Sequence, residues 1–246
     1  MEHFINFTNQ SQGRDRIFRA TQYACALLKY LIRNKAARAE LARKLDNLEK
    51  NMSAGRKLFR LGNTVSSVHA ARRTLQLSDP VLRACLAAAH LSRALYFICD
   101  NLLWARSLGF LQHLDKERWG LLASRFYLVS LLLNLARDLY QISRIMGRRA
   151  RDKQVQEKIS RHLGSNGDVA CMVVPKLDAF LLLLCESLRS HPPLLLDTVK
   201  NVCDLFIPMD SLRIYKTNPG VVGFCGLASS VLGILSVLQP SLKVKP

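Results

Sequence analysis

Acidic side chains are scarce in this chain. Its 246 residues include 18 Asp and Glu against 36 Lys and Arg, for a formal charge of +18. Such a surplus favours a polyanionic partner, either nucleic acid or a membrane face rich in anionic lipid. Aromatic residues make up only 7%, and no nucleic-acid module is recognisable, so nucleic acid is set aside in favour of lipid. Catalytic signatures are missing as well: there is no Walker lysine loop, GxGxxG, HExxH or GxSxG. The six histidines, at 3, 69, 90, 113, 162 and 191, pair with no cysteine at metal-ligand spacing. No enzyme, metal or cofactor is expected. The seven cysteines include no CxxC and are odd in number, which reads as reduced thiols facing cytosol or membrane and not a disulfide framework. MEHFINFTNQSQGRDR lacks the basic start and apolar core of a secretory signal.

One long stretch has no charge. Val221 to Leu238 reads VVGFCGLASSVLGILSVL, opened by Pro219 and closed by Pro240. A helix over Pro219 to Leu238 is about 30 Å long at about 1.5 Å per residue, the thickness of a bilayer core. The competing reading is a buried core helix. Gly223, Gly226, Ser230 and Gly233 share one face, where small residues let a second transmembrane helix approach. Lys243 and Lys245 form a basic tail able to reach headgroups. The predicted fold class is therefore all-α: a membrane-associated helical bundle with amphipathic helices and a C-terminal transmembrane helix at 219–239, followed by a basic tail at 240–246.

The rest of the chain divides by composition. Residues 1–79 read as amphipathic helices on the cytosolic side: Asn6 to Asn34, Ala36 to Glu49, and a third capped by Ser53 and running to Leu75. Arg33 to Arg73 carries eleven basic residues against three acids. In the third helix Leu58, Leu61, Val65, Val68 and Leu75 gather on one side, with Arg56, Arg60, Asn63 and Ser67 opposite and Lys57 in the same basic block. That pattern is an interfacial helix with a cationic flank, or else a helix packed on the rest of the domain. Residues 80–146 read as a helical hairpin. Its first arm, 84–105, is a possible span interrupted on one face by His90, Arg93 and Asp100. Its second arm, Asp115 to Met146, has an apolar run too short to span and a polar stripe at Ser130, Asn134, Arg137 and Gln141. Residues 147–175, with RRARDK and GSNGD, are expected to form a charged linker. Residues 176–216 hold two apolar helices divided by the prolines of HPPLLLD.

Five ordered blocks resemble the peroxin-11 family of peroxisomal membrane proteins: FTNQSQGRDRIFRATQYAC (7–25), GRKLFRLGN (55–63), LSRALYFICDNLLWA (91–105), HPPLLLDTVKNVCDLF (191–206) and NPGVVGFCGLASS (218–230). The short linker and the FTNQSQGRDR start look more like the alpha-type branch than the beta type. The resemblance implies a multi-pass protein of the peroxisomal membrane with both termini cytosolic and two spans, at 84–105 and 219–239. It implies elongation and tubulation of that membrane in peroxisome proliferation and division, through self-association and insertion of an amphipathic helix mapping onto Gly55 to Val68. It also implies contact with fission-machinery adaptors and, indirectly, a dynamin-like GTPase. Some alpha-type tails carry a two-lysine coatomer signal; Lys243 and Lys245 stand out of register with it. The alternatives left by the residues are an adaptor that recruits fission proteins or coatomer, and an oligomeric small-solute channel favoured by Arg93 and Asp100.

Overall fold

The computed structural model describes residues 11–33, 38–163 and 176–242. Its elements are α1 (Ser11–Ile32), α2 (Ala39–Phe59), α3 (Asn63–Thr74), α4 (Pro80–Ser107), α5 (Lys116–Leu163), α6 (Lys176–Arg189), α7 (Pro192–Ser211) and α8 (Pro219–Leu238), with a closing 3-10 turn at Pro240–Leu242. Among the described residues there is no strand.

The helix starts follow local chemistry. Asp79 accepts hydrogen bonds from the Val81 and Leu82 amides at 3.0 and 3.2 Å, with Pro80 in the first turn of α4. Asp115 does the same for the Glu117 and Arg118 amides ahead of α5. Asn218 accepts from the Gly220 amide ahead of α8. Gly109 takes a positive φ of 93° in the turn that reverses the chain between α4 and α5.

Three boundaries differ from the sequence reading. Ser53 does not cap a helix, because α2 runs through it to Phe59. Packing explains the extension: the Phe59 ring meets Phe18 edge-on at 5.1 Å, and Gly55 lets the Phe18 ring lie against the α2 backbone. The predicted helix from 53 to 75 is instead broken at 60–62, ahead of α3. The predicted stop at Met146 is absent, and α5 continues to Leu163, so 147–163 is helix and not linker. That stretch has no proline, and Gly147 costs a helix only about 1 kcal/mol. The rest of the predicted linker, 164–175, lies outside the described residues. So do Lys243 and Lys245. α7 carries Pro208 within the helix.

α4 and α5 form an antiparallel hairpin. α7 packs on α5, α8 on α7, and α1 lies along α8. α2 covers α1, and α3 covers α4. The bundle buries several charged side chains and leaves large apolar ones on its surface. Its buried residues include Arg19, Arg56, Asp100, Arg137, Asp138 and Asp204, while Val65, Phe110, Leu139 and Phe224 are exposed. Among the described residues three helices are long and apolar enough to cross a membrane: α4, α5 as far as Asp152, and α8. α5 is thus a correction to the sequence reading, since its apolar character extends well beyond the run LVSLLLNLA.

Candidate functional site

Two features stand out: an apolar surface on α2 and α3, and a charged cavity beneath it. α3 turns its small and polar residues inward. Ser67, Ala71 and Thr74 are buried against the bundle. The opposite side exposes Val65 at 74% and Val68 at 49%, and the same surface continues through Leu58, Leu61 and Leu75, all exposed. The stripe seen in the sequence therefore faces outward, not into a bundle. Several large apolar side chains exposed within one short stretch point to a contact surface.

The cationic flank is not the predicted one. Arg56 is 7% exposed, and the Arg60 side chain is similarly enclosed. Both guanidiniums hold Asp15, at 3.2 and 3.1 Å. Arg56 also donates to Gln22, and Arg60 donates to the Tyr96 hydroxyl at 2.8 Å and to Asp100 at 3.4 Å. Burial on its own would raise the Asp15 pKa, but Arg60 and Arg56 outweigh it and hold the carboxylate below its usual range. Burial also works against the charged form of Arg60, yet Tyr96, Asp15 and Asp100 keep its pKa above the ordinary value. These arginines tie α1, α2 and α4 together. The exposed cations beside the apolar surface are Arg72 and Arg73 at the end of α3, with Lys57 half-buried at its edge.

The small-residue face of α8 is also occupied differently. Gly220, Gly223, Gly226 and Gly233 face α1 of the same chain and not a second copy. A Cβ added at Gly223 would lie 3.1 Å from the Leu27 amide nitrogen; added at Gly226 it would enter the Tyr23 ring, and at Gly233 it would meet the Arg16 guanidinium. Ser230 turns inward and donates to the Gly226 carbonyl at 2.6 Å. The spacing marked a close helix contact, but the partner comes from the N-terminal part of the chain. No local signal in α1 announced this, beyond tyrosines at positions 23 and 30 that fit glycine notches.

A cavity of about 620 Å³ that opens to the surface past Ser11, Gln12 and Ser66 is bordered by α1, α2, α3, α4, α5 and α7. His90, Arg93 and Asp100, the residues that interrupt α4, line it. Beside it Arg19 pairs with Asp204, joining α1 to α7. Further along, Arg137 pairs with Asp138 and Asp197, and Asn201 donates to Asp138 at 3.0 Å. These buried charges are paired with one another, because an isolated buried charge is costly. Among the described residues no group of three His, Cys, Asp or Glu side chains is arranged to hold a metal ion.

Helices of spanning length and apolarity packed around paired charges are the pattern of a membrane-associated helical bundle. The comparisons narrow that class. A family profile described as peroxisomal biogenesis factor 11 (PEX11) matches residues 1–238. Peroxisomal membrane protein 11A of Rattus norvegicus is 50% identical over 250 residues, covering all of this chain and 99% of that protein. Peroxisomal membrane protein 11A of Homo sapiens is 49% identical over 245 residues with the same coverage, and human peroxisomal membrane protein 11B is 43% identical over 265 residues, covering both chains in full. No solved structure matches. The chain belongs to the peroxisomal biogenesis factor 11 family, and its relatives are peroxisomal membrane proteins.

Proposed function

We propose that this protein elongates the peroxisomal membrane ahead of division by seating the α2–α3 apolar surface in the cytosolic leaflet, with several copies acting together. The observation that carries this reading is the exposure of Leu58, Leu61, Val65, Val68 and Leu75 on one surface with Arg72 and Arg73 beside them. Burying a Leu or Val side chain contributes about 1.5–3 kcal/mol, and each Arg near an anionic surface adds about 1 kcal/mol. Self-association matters because one shallow wedge bends a membrane little. Since α1 covers the glycine face of α8, copies meet through other surfaces while the bundle is closed. No catalysis is part of this reading.

Both termini belong on the cytosolic side. Support comes from the antiparallel packing of α1 on α8, where Arg16 sits by Gly233 and Tyr30 by Gly220, bringing the start of α1 and the end of α8 to the same end of the bundle. The number of crossings is then even. Crossings by α4 and α8 alone would put 108–218 in the lumen and separate Arg19 from Asp204. The closed bundle instead fits α5 and α7 lying at the same depth as α4.

The test is reconstitution of the full chain into vesicles of phosphatidylcholine with anionic lipid, read by electron microscopy. Wild type should form tubules without partners, and Leu61→Asp and Val65→Asp should each abolish them while leaving the protein in its membrane. Tubules that survive both substitutions would refute the wedge. Elongation only after fission proteins are added would replace it with the adaptor reading, and solute leakage without elongation with the channel.

A further inference from the structure

The cavity has more positive charge than its carboxylates can neutralise. Its wall carries seven cations, Arg16, Arg19, Arg56, Lys57, Arg60, Arg93 and Lys200, against three carboxylates, Asp15, Asp100 and Asp204. The carboxylates are already engaged: Asp15 by Arg56 and Arg60, Asp100 by Arg60, and Asp204 by Arg19. Lys200 is held by Asp197. Among the described residues Arg16, Arg93 and Lys57 make no ion pair and no side-chain hydrogen bond. The Arg16 guanidinium lies where a Cβ at Gly233 of α8 would meet it, and burial with the like charges of Arg19 and Arg93 outweighs the attraction of Asp204 and Asp15 and holds its pKa below the ordinary arginine value. Half-buried guanidiniums on one cavity wall that repel one another, with no acid paired to them, are a site for an anion.

We propose that this cavity binds a phosphate ester between Arg16 and Arg93, with Lys57 on the α2 side. Guanidinium forks match tetrahedral phosphate oxygens, two or more cations suit a double negative charge, and a carboxylate would satisfy fewer of the donors. The size argues for more than bare phosphate. At about 620 Å³ the space admits a polar body attached to the phosphate. Hydroxyls on the wall, including Ser67, Ser124 and Tyr127, supply hydrogen-bonding groups for it. The ester has two possible sources, a lipid headgroup drawn in from the leaflet or a soluble phosphorylated metabolite. The site is independent of the wedge surface, since none of its three cations belongs to the exposed stripe.

Binding to the full chain distinguishes these sources. In neutral phosphatidylcholine nanodiscs, radiolabelled glycerol 3-phosphate is titrated and read by equilibrium dialysis. In nanodiscs containing phosphatidic acid, retained lipid is read by native mass spectrometry. Saturable binding in the first arm identifies a soluble ester, and binding in the second alone identifies a headgroup. In whichever arm binds, Arg16→Gln and Arg93→Gln should each weaken binding roughly tenfold, Arg93→Lys should retain it, and glycerol should not compete. Should a Gln variant lose its helical circular dichroism, Lys57→Gln at the half-exposed edge serves with the same criterion. No saturable binding in either arm overturns the proposal, as does binding that the neutralising variants leave within about twofold of wild type.

Discussion

Asp204→Asn is the sharpest test of the bundle. Arg19 and Asp204 pair with side-chain exposures of only 8% and 5%, and the pair joins α1 near the start of the described chain to α7 near its end. The substitution keeps shape and removes charge, which leaves the Arg19 guanidinium enclosed without a counter-ion. Breaking a buried pair by removing one partner costs about 3–5 kcal/mol. For a chain of this size each kcal/mol lowers the melting temperature by about 2–4 °C, so a drop of about 10 °C is expected. Cys25, Cys99 and Cys225 are buried free thiols, and a thiol-reactive dye reports their exposure as the protein is heated in detergent micelles. Replacing both partners by apolar residues, Arg19→Met with Asp204→Leu, should restore most of the loss, because no charge then remains buried. A shift of under about 2 °C for Asp204→Asn would refute the pairing, and with it the placement of α1 against α7.

The other predictions concern separate parts of the chain. Gly226→Leu should push Tyr23 away and detach α1 from α8, so that a Tyr30→Cys/Asn218→Cys crosslink, across a contact now at 2.6 Å, no longer forms; unchanged crosslinking would show that the glycine face serves another partner. Arg60→Ala should lower thermal stability, since it strips Asp100 of its counter-ion and leaves Asp15 with Arg56 alone, while the salt dependence of vesicle binding should shift with Arg72→Ala and Arg73→Ala instead. Lys29 and Lys50 hold the Asp46 pKa down to about 2. A depressed carboxylate pKa stabilises the fold above its unfolded value of about 3.9, and that contribution is lost as pH falls towards about 2; exchange of α2 amides should quicken in this window and Asp46→Asn should abolish the change. A protease-cleavable tag after Gly147 in intact peroxisomes should be cut as fast as one at the N-terminus if α5 and α7 cross with α4, and should be protected if only α4 and α8 cross.

Much of this was legible locally. Pro219 and the uncharged run to Leu238 are enough to fix α8, and Asp79 with Pro80 is enough to start α4, because a cap and a ring-locked φ act on neighbouring residues alone. The stripe from Leu58 to Leu75 was visible from spacing, since helical periodicity decides which residues share a face. Spacing does not say what that face meets. Arg56 and Arg60 looked like solvent-facing cations and are instead buried on Asp15, which lies more than forty residues earlier. The glycines of α8 announced a close neighbour, but only the fold shows it to be α1. Arg93 and Asp100 looked like defects in a span; in the bundle they line a cavity that no segment builds alone. The physical reason is the same in each case. Turn, cap and face are set by interactions within about four residues, whereas the partner of a buried charge or a glycine notch is set by long-range packing, and here that packing buries several charged side chains and leaves large apolar ones on the surface.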